Sequence, residues 1–285
     1  MAAPEVLPSA ALSFDLATDT VRELNQRLHV ADQAGPVRVL NPSGKHSIAV
    51  GLDAEYEVEI EGHVGYYCAG MNKLATVRIA GNCGVGVAEN LMSGTVIVEG
   101  SASQSAAATA RGGLLVVYGD ASARCGISLK GADVVVHGSV GHMSAFMAQK
   151  GALVVCGDAG EALGDSIYEA RLYVRGSVAG LGADCIEKEM RAEHLEQVAG
   201  LLARAEIDDV DPVLEREQHV PAAAQHVGLE AGLAGERDEA LLHRAARAPQ
   251  LLDDADPVVR DVPQHVRPPE QQHSDDHAHT DQDGL

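Results

Sequence analysis

The residues that could do chemistry in this chain are few and scattered. GNCGVGVAEN (residues 81–90) contains a Gly-x-Gly and invites comparison with a dinucleotide loop. That fingerprint needs a third glycine, a preceding strand and a helix opening directly after it. Here the third position falls on Ala88 or Glu89, and GLGADC (180–185) fails in the same way. Five cysteines, Cys68, Cys83, Cys125, Cys156 and Cys185, form no Cys-x-x-Cys pair, which disfavours a zinc or iron–sulfur centre and a disulfide framework. They read as small buried thiols, with a reactive thiol near His46 or His63 as the rival reading. His137 and His142 flank one turn, with Asp120 and Asp158 nearby, an acid–base or metal arrangement that competes with plain solvated corner residues. No Ser/His/Asp or His-Glu-x-x-His pattern stands out. The sequence therefore predicts no catalytic, cofactor-binding or metal site in this chain.

The elements that must carry these residues come from an internal repeat. Gly62, Gly81, Gly100, Gly119, Gly138, Gly157 and Gly176 follow one another at intervals of 19 residues. Four and two residues before them stand Val58/Ile60, Val77/Ile79, Val96/Val98, Leu115/Val117, Val134/Val136, Leu153/Val155 and Leu172/Val174, always aliphatic, with the alternation of a short strand. A polar residue follows each glycine: His63, Asn82, Ser101, Asp120, Ser139, Asp158, Ser177. Nineteen residues leave no room for a helix between parallel strands, and the pattern lacks the Leu-x-x-Leu-x-Leu signature of leucine-rich repeats. The expectation is an all-β solenoid, a right-handed parallel β-helix with the glycines at coil corners. The repeat alone fixes neither the hand nor any partner.

Two columns of this repeat are candidates for contact with other surfaces. Three residues before the corner, Ile97, Val116, Val135, Val154 and Tyr173 point outward yet are apolar, a ladder that needs a cover. Either the chain's own following helix or a partner subunit can supply it. Eleven residues after the corner, Arg111 and Lys130 place like charges on adjacent coils.

Around the coils, the domain reading is 1–49 as an N-terminal helix and strand segment, 50–183 as seven coils, 184–207 as a C-terminal helix, and 208–285 as a tail. TDTVRELNQRLHVA begins with a capping box, Thr20 and Glu23, and VRVLNPSGKHSIAVGL reads as a first pair of strands. The tail lacks Lys, Phe, Tyr and Trp and holds seven of the thirteen His, so it is expected to be disordered, or the product of a frameshift. The net charge of −21 argues against nucleic-acid binding. No apolar run is long enough for a membrane span, and MAAPEVLPSA has no basic start or apolar core of a secretory signal. The expected setting is the reducing cytoplasm.

The segments GYYCAGMNKLATVRIAGNCGVGVAENLMSGTVIVEG, GGLLVVYGDASARCGISLKGADVVVHGSVGHMSAF and GDAGEALGDSIYEARLYVRGSV resemble the GXGXG domain, the third domain of glutamate synthases. The likeness runs from about residue 12 to 207 and is strongest to the stand-alone form, the B subunit of N-methylglutamate synthase. It implies a β-helix without a cofactor of its own. It implies two partners as well: a class II glutamine-amidotransferase subunit, and a synthase subunit holding FMN and an iron–sulfur cluster. A more distant likeness is to the β-helix subunit of formylmethanofuran dehydrogenase, which makes a formyl-transferring complex the alternative. After residue 207 the chain departs from the family pattern.

Overall fold

The computed structural model describes residues 12–30 and 34–210, and the backbone of 227–231. All of these lie in the first of the two units into which the chain divides, Met1–Gly235 and Glu236–Leu285. The strands are β1 (Leu12–Asp15), β2 (Pro36–Leu40), β3 (Glu57–Ile60), β4 (Thr76–Ile79), β5 (Thr95–Val98), β6 (Leu114–Val117), β7 (Lys130–Val136), β8 (Lys150–Val155), β9 (Arg171–Val174), β10 (Cys185–Lys188) and β11 (Val227–Ala231); the helices are α1 (Val21–Leu28) and α2 (Ala192–Arg204). β1 to β9 pair in parallel, each with the next, and form the β-solenoid that the repeat predicts. From β3 to β9 the register advances by one coil of 19 residues, so Val58 lies beside Val77, Val77 beside Val96, and so on to Leu172.

The fourteen aliphatic positions are the inner wall. All are buried, none more than 3% exposed. A second wall follows the corner, where Val64, Cys83, Ala102, Ala121, Val140, Ala159 and Val178 bridge in parallel from coil to coil. The walls enclose one continuous apolar core, and α1 closes its N-terminal end by adding Leu24 and Leu28. The capping box forms as expected: the Glu23 amide donates to Thr20 Oγ1 at 3.2 Å, and the Thr20 amide donates to Glu23 Oε2 at 2.9 Å.

The third side of each coil carries no signal in the residue types. Five, seven and nine residues after the corner, the backbone takes positive φ, as in Tyr67 (59°), Ala69 (53°) and Met71 (56°), or Met143, Ala145 and Met147. The intervening residues do not, so the sign of φ alternates. The amides then donate alternately to the next and the previous coil: Tyr67 to the Val85 carbonyl, Ala69 to that of Ile48, Met71 to that of Glu89, at 2.8 to 2.9 Å. A non-glycine residue in this region costs on the order of 1 kcal/mol. The cost is met because every such amide finds a carbonyl in the stack, which a buried backbone requires.

Three boundaries differ from the sequence reading. The stack starts before residue 50, with β1 and β2 as its first rungs, set 25 and 21 residues before their successors rather than 19. The second strand expected in VRVLNPSGKHSIAVGL is instead a turn, with Asn41, Ser43, Ser47 and Ala49 at positive φ. The helix expected over 184–207 begins only at Ala192, because Cys185–Lys188 is drawn into a strand against β11, with Ile186 beside Glu230. β11 also pairs antiparallel with β9 and so ends the parallel stack. It lies within the stretch expected to be a tail; of 208–285, only 208–210 and this strand are described. Among the described residues no helix is long and apolar enough to cross a membrane.

Two glycines separate the roles this residue plays. A Cβ on Gly138 would lie 2.7 Å from the Gly119 carbonyl oxygen and 2.9 Å from its carbon, although φ there is ordinary. Gly126 sits at φ +68° with nothing within 4 Å of its missing Cβ. Gly138→Ala should therefore cost ~2–4 kcal/mol through backbone collision, and Gly126→Ala ~1 kcal/mol through conformation alone. Urea unfolding of both variants checks this; equal losses would contradict it.

Candidate functional site

The corner carries most of the polar side chains singled out above, and the stack uses them. The Ser101 amide donates to Asn82 Oδ1 at 2.8 Å, and the Asp120 amide to Ser101 Oγ at 3.2 Å. The Ser139 amide donates to Asp120 Oδ1 at 2.8 Å, the Asp158 amide to Ser139 Oγ at 3.0 Å, and the Ser177 amide to Asp158 Oδ1 at 2.7 Å. His63 belongs to the same ladder, its Nδ1 accepting from the Asn82 amide at 2.9 Å. Beside it the glycine amides donate to the glycine carbonyls one coil back, Gly119 to Gly100 and Gly157 to Gly138 at 2.9 Å. Small polar types recur after the glycine because each must reach one amide at the inter-coil spacing. His46 is occupied in the same manner: it stacks on Tyr66, with ring centroids 4.0 Å apart, and accepts the Tyr66 amide on Nδ1 at 3.1 Å.

All five cysteines are buried and unpaired. Burial pushes the Cys83 and Cys125 thiols up to about 12 and those of Cys156 and Cys185 up to about 11. Cys68 is raised further by burial and then by its neighbour Cys83. Such thiols stay protonated at neutral pH and are poor nucleophiles. The small-hydrophobe reading of the cysteines thus matches their environment, and neither His46 nor His63 activates one. Gly84 and Gly86 of GNCGVGVAEN lie on the coil as corner and turn residues, Gly86 at φ +72°. Among the described residues no cluster of three His, Cys, Asp or Glu side chains is placed to hold a metal ion.

The outward ladder has a definite cover. Val116, Val135, Val154 and Tyr173, with Leu114, Ala152 and Cys156, form a second apolar cluster with Val198, Leu201, Leu202, Ala205, Ile207 and Val210. Ile97 is half-buried at its rim. The roof is therefore α2 and the turn after it. Leu201 and Leu202 lie one turn on from Val198, which gives the helix the sided stripe that sits on a flat apolar sheet. Polar contacts secure its margins. Tyr173 donates its hydroxyl to Gln197 Oε1 at 2.7 Å, Tyr118 to the Ala205 carbonyl at 2.9 Å, and Arg204 pairs with Asp133 at 3.0 Å. Arg78 pairs with Glu99 on the next coil and lies 3.7 Å from Glu206. His137 meets the Asp209 carboxylate at 3.1 Å. The sequence hints at none of these clamps, because their partners stand in no periodic relation. Four of the five interface candidates on the strand face are thus taken up by an internal contact. Arg111 and Lys130 instead stand exposed on the far edge of the coil.

What the fold defines is a parallel β-solenoid of 19-residue coils, roofed on one sheet face by its own helix. No protein-family model matches the chain, and no solved structure matches it. It is 60% identical over 202 residues to Protein GlxC of Rhizobium meliloti (strain 1021), a match covering 70% of this chain and 89% of that protein. The chain belongs to the family of Protein GlxC.

Two outcomes follow from this geometry. The double variant Val135→Arg/Val154→Arg sets two guanidinium groups beneath α2 and should abolish cooperative folding, because each unpaired buried charge costs several kcal/mol. A variant that melts like wild type would contradict the roof. The second outcome concerns acid. The Asp158 carboxyl is held below its ordinary range by the Ser177 amide and then by the Ser177 hydroxyl. A carboxylate with a lowered folded-state pKa adds stability above its unfolded pKa and loses it as pH falls through the folded value. Asp158→Asn keeps the acceptor, as Asn82 does, without the titration. It should melt near wild type at neutral pH and lose less stability between about pH 5 and pH 2; an unchanged acid slope would refute the assignment.

Proposed function

We propose that this chain is the non-catalytic β-solenoid subunit of a glutamate-synthase-like complex of the N-methylglutamate synthase type. In it the solenoid bridges a class II glutamine-amidotransferase subunit and a synthase subunit holding FMN and an iron–sulfur cluster. The observation that carries this reading is the 19-residue motif itself: the segments that resemble the GXGXG domain form consecutive coils in unbroken register from β3 to β9. The membership in the GlxC family is compatible with it. The non-catalytic role is supported by the way the corner side chains are used, as acceptors for the chain's own amides, and by thiols kept protonated through burial.

The contribution to catalysis is then geometric. A stack whose coils are tied by hydrogen bonds on every side is stiff along its axis, and it holds two active centres at a fixed separation. Ammonia released at one centre reaches the other before it escapes to solvent, an advantage of proximity rather than of chemistry. The five unpaired thiols suit a reducing cytoplasm.

Reconstitution tests the reading. Subunits co-purified through a tagged copy of this chain should include a glutaminase and a flavoprotein. With this chain omitted, the synthase should still use free ammonia, while glutamine-dependent synthesis falls by about tenfold or more. Coupling that survives its omission would overturn the bridging role, and formyl-transferring partners would favour the alternative complex.

A further inference from the structure

The coil presents three sides, and two of them are accounted for. The strand face lies under α2, and the corner side chains are consumed by the amide ladder. The remaining edge is the column eleven residues after each corner: Lys73, Met92, Arg111, Lys130, Gln149 and Tyr168. Each amide of this column donates to the coil before it, Met92 to Asn72, Arg111 to Leu91, Lys130 to Ala110, which keeps the six in line. All six side chains are exposed, Tyr168 by 58%. At about 4.8 Å per coil the line is about 24 Å long.

Its charge is opposite to that of the molecule. The chain carries −21, yet this column holds three cations and no carboxylate. Lys73 is paired with Asp53, but among the described residues no carboxylate pairs with Arg111 or Lys130. Lys150 lies beside Lys130 in the register of β7 and β8 and adds a third cation of like sign to the same edge. Adjacent like charges repel at this spacing. Between them stand Met92 and Tyr168, two large apolar side chains left in water. Arg, Met and Tyr are the types enriched at protein interfaces.

We infer that this edge is a docking surface for a partner subunit, one that sets carboxylates opposite Arg111 and Lys130 and apolar groups opposite Met92 and Tyr168. The inference rests on the proposed membership of a complex and adds which face is used. Opposite charge steers the partner and fixes its register along the stack, and the apolar pair supplies the buried area.

The test uses the native complex, purified through a tagged full-length chain and treated with a zero-length carbodiimide, which joins amines to carboxylates. Peptides linking Lys130 or Lys150 to Asp or Glu of a different protein are expected. In parallel, Arg111→Glu/Lys130→Glu should lower partner recovery by about tenfold at low salt, with melting unchanged because both sites are exposed. Arg111→Gln/Lys130→Gln gives a milder loss and serves should the reversal disturb folding. Links only to residues 211–285 of the same chain, or to a second copy of it, would overturn the inference. So would full recovery with the reversed variant, or no partner at all with wild type. The identity of the partners is read separately. A glutaminase and flavoprotein retained by the reversed variant would leave the functional reading standing and this face wrong. Other partners lost on reversal would do the opposite.

Discussion

Parallel coils can stack at about 4.8 Å only if the same backbone atoms recur above one another in every coil, and at the corner this leaves no space for a side chain. A Cβ on Gly81 would lie 2.7 Å from the carbonyl carbon of Gly62, and the same collision repeats up the column. The glycine carbonyls and amides instead bond directly to one another, and the neighbouring Asn, Ser or Asp ties down the next amide. From that close approach follow the strict period and the aliphatic columns at two and four residues before it. The turn side follows as well, with its alternating φ, since that path returns the chain to the starting point in nineteen residues with every amide bonded.

The stack creates a surface problem as it solves the interior one. Val116, Val135, Val154 and Tyr173 fall on the outer face of the sheet, where in-register stacking turns isolated apolar residues into a stripe. α2 resolves it from within the chain, and Tyr118, Asp133 and His137 hold the margins of the roof. A solenoid finished in this manner has little of its side-chain chemistry left free. What remains exposed is the cationic edge with Met92 and Tyr168, which suits a subunit that works by holding others.

The fold was legible in the sequence because its constraint is periodic. Gly62 to Gly176 and the fourteen aliphatic positions are dictated by residue type, so each coil repeats the evidence. The positive-φ turns were not legible, because hydrogen bonding along the stack enforces that conformation on Ala, Ser, Thr, Met, Asn and Arg alike, and no residue type marks it. The start of α2 departs from expectation for a related reason: Cys185 and Ile186 fit a helical stripe, but pairing with β11, some 45 residues later, draws them into a strand. Of the candidate site, the outward stripe was visible and its cover was not. Two apolar stripes can be read from the sequence, whereas their pairing depends on Tyr173 meeting Gln197 and Arg204 meeting Asp133, contacts without period or motif.

The central claim is that the solenoid covers its strand face itself and meets other subunits elsewhere. A cryo-electron microscopy map of the complex isolated through a tagged copy of this chain tests it most directly. The account predicts α2 seated on Val116, Val135, Val154 and Tyr173, with partner density along the edge of Arg111 and Lys130. A map in which α2 is displaced and a partner occupies that strand face would contradict it.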